Sequence, residues 1–267
     1  MNKKHIVVFS IIFFLLLFLY PAVRGAQFTE LKGYKSTMNF RVWAPAEKNA
    51  DMIASELEKY YKEFLSDLKC GGMVKKKPEI RVFKNYEEYI DKTRKLGYNT
   101  DHTGGIAISR SARRPAKIYF FLSDNLIQVL RHELTHVLFK EMTAGLKTDA
   151  KIPLWLNEGI AVYEERGMPY KTIASRALKS GCLISVGKIV SYTAYPTDRE
   201  ENRLFYAQSA SLVDFLLNEY GGAKFIAFSR KQIRNGKSVN EALSSTYYPH
   251  IKNVSQLSSA WLNFLKK

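Results

Sequence analysis

Two histidines and a glutamate in Arg131-His132-Glu133-Leu134-Thr135-His136 have the types and spacing for hydrolytic chemistry on a metal. On a helix, side chains four apart lie one above the other on the same face. Both imidazoles can therefore converge on a single Zn²⁺. Glu133 projects beside the open side of that metal, where a general base is needed. A catalytic zinc site takes a third protein ligand and keeps one position for water. The best-placed candidate is Glu158, in Pro153-Leu154-Trp155-Leu156-Asn157-Glu158-Gly159-Ile160-Ala161, 22 positions after His136. The competing reading of Glu158 is a surface acid favoured by the dipole of an early helical turn. His102 and His250 stand alone, with no ligand spacing around them.

Those residues need rigid elements to hold them. The stretch from Ser123 to about Ala144 reads as a helix, with Leu126, Leu130, Leu134, Val137 and Leu138 as its apolar stripe. Ser123 or Asp124 can cap it and Gly145 can end it. Unpaired imidazoles inside such an apolar helix would be costly, and a metal satisfies them. A second helix is expected from Pro153 to about Glu165, and a reversal between Gly145 and Pro153 lets the two pack. Upstream, Thr37–Val42 reads as extended and Glu47–Leu68 as a helix stopped by Gly71-Gly72. Pro78–Phe83 reads as a strand, Tyr86–Leu96 as a short helix, and Gly104–Ser109 and Lys117–Leu122 as two strands joined by the basic loop Arg110–Pro115. Downstream, helices are expected at Tyr170–Ser180, Glu200–Tyr220, Ala223–Arg234, Val239–Thr246 and Val254–Lys266, with Gly181–Thr197 less regular. The expected fold class is α+β, a small mixed sheet lobe (about 26–122) followed by a helical lobe (about 150–267), with the active-site helix 123–144 between them.

With 267 residues, 46% of them hydrophobic, the chain has material for one sizeable domain and is too apolar for disorder. A basic lead (Met1–His5), an apolar run of 15 residues (Ile6–Tyr20) and small residues up to Ala26 have the layout of a secretory signal, with cleavage after Gly25 fitting best. A membrane span needs about 20 such residues, so an uncleaved anchor is the weaker reading. The expectation is an exported protein, periplasmic or secreted, with 26–267 as one domain. Net charge is +16, and loss of Lys3, Lys4 and Arg24 leaves 38 basic against 25 acidic residues. That excess favours an anionic surface or acidic partner. The lysines are nevertheless scattered, and no aromatic-basic interleaving points to specific nucleic-acid binding. Cys70 and Cys182 are compatible with a disulfide and with two free thiols; neither belongs to a C-x-x-C pair that would bind zinc.

His-Glu-x-x-His followed by Leu-Trp-Leu-Asn-Glu-Gly-x-Ala resembles the gluzincin metallopeptidases. It is similar to the zinc helices of the M1-type aminopeptidases and of the smaller bacterial peptidase MA-like domains. Tyr206-Ala207-Gln208-Ser209-x-x-Leu212-Val213-x-Phe215-Leu216, Tyr220-Gly221 and Trp261-Leu262-x-Phe264-Leu265 resemble the C-terminal helices of the latter group. The resemblance implies a thermolysin-like zincin architecture and one Zn²⁺ held by His132, His136 and Glu158. It implies Glu133 as general base and later proton donor, and Tyr206 as a hydrogen-bond donor to the developing oxyanion. It also implies that Gly105, Ile106 and Ala107 lie on the edge strand that pairs with an extended peptide or protein substrate. The chain departs from the aminopeptidase pattern in lacking Gly-x-Met-Glu-Asn, the element that captures a free amino terminus. Internal cleavage is therefore the expected activity. A second departure is that Ala161 and Val162 stand where a carboxylate supporting a ligand histidine could sit. The alternative to an enzyme is a silent zinc-binding scaffold for an acidic partner, which would have no need of Glu133.

Overall fold

The computed structural model describes residues 31–71, 76–101, 103–108, 114–145 and 150–267. The expected signal segment, His102 and most of the basic loop after residue 108 lie outside them. The chain divides into two units, Met1–Tyr60 with Met73–Val137, and Tyr61–Gly72 with Leu138–Lys267.

The first unit is built on a five-stranded mixed sheet of β1 (Gly33–Ser36), β2 (Arg41–Ala44), β3 (Glu79–Phe83), β4 (Gly105–Ile108) and β5 (Lys117–Phe121), in the order β1-β2-β3-β5-β4. The three inner strands run parallel, and β1 and β4 close the two edges antiparallel. Alternation puts Val42, Ile80, Val82, Ile118 and Phe120 on one face, all fully buried. On the other face, Phe83, Ile106 and Tyr119 join Tyr89 and Ile90 of helix α2 (Tyr86–Lys95) in an apolar cluster. Asn85 caps α2 by accepting from the Glu88 amide at 3.0 Å. Acidic Glu87 and Glu88 open that helix and Lys92, Arg94 and Lys95 close it, matching its dipole.

The extended reading of Thr37–Val42 needs correction. Residues 37–40 turn the chain between β1 and β2. The Thr37 amide donates to the Phe40 carbonyl (3.0 Å) and the Phe40 amide to Thr37 Oγ1 (3.1 Å). Asn39 is fixed from a distance: its amide and Nδ2 donate to the two oxygens of Glu58, at 2.8 and 2.7 Å. Glu58 lies on α1 (Glu47–Asp67), which begins in this unit.

The second unit is helical: α4 (Leu154–Glu165), α5 (Tyr170–Ser180), α6 (Val186–Ser191), α7 (Arg199–Tyr220), α8 (Gly222–Ile233), α9 (Val239–Tyr247) and α10 (Val254–Leu265). It also holds the ends of α1 and of α3 (Leu126–Ala144). At the close crossing of α4 and α7, a Cβ on Gly159 would stand 2.6 Å from the Ser209 carbonyl oxygen. Trp155 packs on Phe228 and Phe139 on Phe225. Trp261 Nε1 donates to Ser211 Oγ at 3.0 Å, tying α10 to α7. The stretch Gly181–Thr197 is more ordered than its sequence suggests, because it contains α6, capped by Ser185. Cys70 and Cys182 are free thiols. Among the described residues, no helix is long and apolar enough to cross a membrane.

Candidate metal centre

Helix α3 starts at Leu126, three residues later than Ser123. Its first turn is closed by backbone, with the Leu126 amide donating to the Ser123 carbonyl and Val129 to Asn125. Every residue from His132 to Phe139 is buried. The helix therefore has no polar face here, and the polar members of its motif are held inside the protein. Thr135, one of the two variable positions between the histidines, shows how: its hydroxyl donates to the Arg131 carbonyl (2.6 Å) and meets the Tyr60 hydroxyl at 2.5 Å. The Arg131 guanidinium lies over the Tyr60 ring at 4.9 Å. The Tyr60 contacts tie α3 to α1 beside the two histidines.

His132 and His136 have ring centroids 4.8 Å apart and meet edge to face. One ligand atom from each of His132, His136 and Glu158 lies within 4.8 Å of the others, and all three residues are buried. Glu158 is only 1% exposed, which excludes the surface-acid reading. Tetrahedral zinc at about 2.0–2.2 Å from nitrogen and oxygen needs donors about 3.4 Å apart. Two imidazoles and a carboxylate within 4.8 Å of one another are donors of the kind that could hold such an ion. Among the described residues, the set consists of two imidazoles and one carboxylate, with no thiolate.

Glu133 is fully buried. What brings it to the sheet is Gly104-Gly105. A Cβ on Gly105 would lie 3.2 Å from Glu133 Cγ, 3.1 Å from Val129 Cγ1 and 3.3 Å from the Tyr119 carbonyl oxygen. A Cβ there would require these neighbours to give by a few tenths of an ångström, so glycine lets β4 lie close against α3. β4 is the terminal strand of the sheet. Gly105 and Ala107 share the α3 side, while the Ile106 side chain enters the apolar cluster on the opposite face. Next to Gly104, a hydroxyl chain anchors the strand's start: Tyr89 Oη lies 2.7 Å from Thr103 Oγ1, and Thr103 Oγ1 donates to the Thr100 carbonyl at 2.8 Å. Burial, reinforced by the nearby Glu133 carboxylate, holds the Tyr89 phenol well above the ordinary tyrosine range.

Tyr206, on α7, is nearly buried, and its ring stacks on Tyr195 at 6.1 Å between centroids. The Tyr195 hydroxyl donates to Glu158 Oε1 at 2.9 Å. Tyr206 therefore stands one aromatic ring away from the acidic member of the cluster. Tyr195 itself was not legible in the sequence: it lies outside regular structure between α6 and α7, with no spacing relation to the histidines.

The chain thus combines a mixed α+β fold with a buried His-His-Glu cluster. The Peptidase MA superfamily model matches residues 67–267, and the chain belongs to that family. No curated protein matches the chain.

Proposed function

We propose that this chain is an exported, zinc-dependent metallopeptidase of gluzincin type that cuts internal peptide bonds. The observation that carries the reading is the buried His132–His136–Glu158 cluster, on the helix that also carries Glu133. Family membership and the sheet-then-helix order support a thermolysin-like zincin architecture.

When bound, zinc supplies Lewis acidity, polarising a carbonyl and making a water acidic enough to be deprotonated near neutral pH. The protein's own groups do the rest. Glu133 accepts the proton of the attacking water and returns it to the departing amine, so that one carboxylate serves both halves of the reaction. The Tyr206 phenol donates to the oxyanion that develops on the carbonyl oxygen. The outer edge of β4 pairs with the extended substrate backbone, and Gly105 keeps that edge against Glu133. Gly104–Ile108 carries no carboxylate where the M1-type aminopeptidases hold a free amino terminus, which favours internal cleavage. The basic lead and apolar run at the start of the chain support export, and the basic surface favours acidic or anion-rich surroundings.

The test is a peptide mixture incubated with the zinc-loaded protein, with products mapped by mass spectrometry and amino termini blocked in a parallel sample. Internal cuts that survive blocking are expected. Removal of single N-terminal residues, lost on blocking, would replace the endopeptidase reading by an aminopeptidase one.

A further inference from the structure

The polypeptide between α5 and α7 is strapped along α7 by side chains from both sides. The Ile184 amide donates to Gln208 Oε1 and Gln208 Nε2 donates to the Ile184 carbonyl, each at 2.9 Å and buried. Lys188 pairs with Glu201, and the Tyr192 hydroxyl donates to the same Glu201 oxygen at 2.5 Å. Tyr192 meets Phe205 edge to face at 5.3 Å, and Asp198 caps α7 by accepting from the Glu201 amide at 2.8 Å. Tyr195 lies between Tyr192 and Asp198, both of which these contacts hold to α7. Its ring lies nearly parallel to Tyr206, at 17°. Its hydroxyl reaches Glu158 Oε1, the same oxygen that accepts from Asn157 Nδ2 at 3.3 Å.

We propose that Tyr195 is a positioning residue for the metal, orienting the Glu158 carboxylate through its hydroxyl. The proposal rests on the reading of His132, His136 and Glu158 as a zinc site. An ionised carboxylate only accepts, so the phenol is the donor. Two donors on one oxygen fix the rotation of the carboxylate about its last torsion, which is otherwise broad. Of the two, Tyr195 is the shorter and comes from outside α4, so it also fixes where the carboxylate stands along the helix. Partners of this kind hold a ligand in its binding orientation before the metal arrives, and their loss costs about 10–100-fold in metal affinity. The strap is what allows a loop tyrosine to do this, since an unclamped loop would lose the gain in ordering entropy.

The experiment is a zinc titration of the chelator-stripped full chain against a competing chromophoric chelator, comparing wild type with Tyr195→Phe. The ring and its stack on Tyr206 survive this change while the donor is lost. An affinity about tenfold weaker is expected, with the thermal midpoint of the metal-free protein unchanged. A second pair, Tyr195→Gln and Tyr195→Leu, removes the stack in both and keeps a donor only in the first; the Gln variant should bind zinc more tightly than the Leu variant. Equal zinc affinity in Tyr195→Phe and wild type, or in the Gln and Leu variants, would overturn the proposal and leave Tyr195 a packing residue. Wild type that takes up no zinc would overturn the zinc reading itself, and this proposal with it.

Discussion

Replacing Gly159 by alanine tests whether the Asn-Glu-Gly sequence is set by packing. Mid-helix glycine normally costs about 0.5–1 kcal/mol relative to alanine, so the substitution should stabilise on propensity alone. The crossing of α4 and α7 opposes this. The new Cβ would meet the Ser209 carbonyl oxygen at 2.6 Å, Val213 Cγ2 at 2.8 Å and the Ser209 carbonyl carbon at 2.9 Å. Val213 can rotate, but the two Ser209 atoms are backbone. Reaching an ordinary contact of 3.4 Å requires the helices to part by roughly 0.8 Å. Overpacking of this kind costs about 1–3 kcal/mol. Subtracting the propensity gain leaves a net loss of about 0.5–2 kcal/mol, or a fall in Tm of about 1–8 °C for a chain of this size. Glu158 precedes Gly159, so the shift of α4 should also weaken metal binding. Thermal denaturation of both forms, with and without zinc, is the assay. A Gly159→Ala protein as stable as wild type, or more so, would refute the close-crossing argument.

Three further outcomes follow from the same geometry. Glu158→Ala should lower zinc content after dialysis to well below one ion per chain while leaving the metal-free protein folded; unchanged metal content by elemental analysis would remove it from the ligand set. Gly105→Val should reduce turnover more than zinc affinity, because its branched side chain would intrude where even a Cβ is 3.2 Å from Glu133 Cγ; equal loss of both would place the damage at the ligands instead. Finally, burial raises the phenols of Tyr89, Tyr170 and Tyr247 and pushes Tyr163 up to about 12. For an acid whose folded pKa is raised, the stabilising contribution is complete below the unfolded value of about 10 and is lost as pH climbs through the folded one. Stability should therefore fall between about pH 10 and 12, with tyrosinate absorbance rising together with loss of ellipticity. Tyrosines that all ionise near their ordinary value in a folded protein would contradict this.

How much of this was legible in the sequence differs from element to element for physical reasons. The long helices were readable because their apolar periodicity extends over several turns, and His132 and His136 because a helix converts a spacing of four into a shared face. Glu158 was readable as a candidate from its spacing and from the residues around it, and its burial then separated ligand from surface acid. The 37–40 turn was not readable, because part of what fixes Asn39 is Glu58, 19 positions away on α1. Helix α6 is only six residues long, too short for a periodic signal. Gly104-Gly105 looked like strand punctuation; that a side chain at Gly105 would crowd Glu133 depends on how β4 lies on α3. Tyr195 belongs to the same class, since its position is set by contacts along α7 rather than by local sequence.

The most direct test of the account is Glu133→Gln, assayed for metal and for peptide hydrolysis on the same sample. The amide keeps the size of the side chain and removes the proton acceptor. One zinc per chain is expected in both proteins, with a fall in turnover of at least about 10²-fold in the variant, the scale of a lost general base. A Glu133→Gln protein that retains its zinc and hydrolyses peptides at the wild-type rate would contradict it.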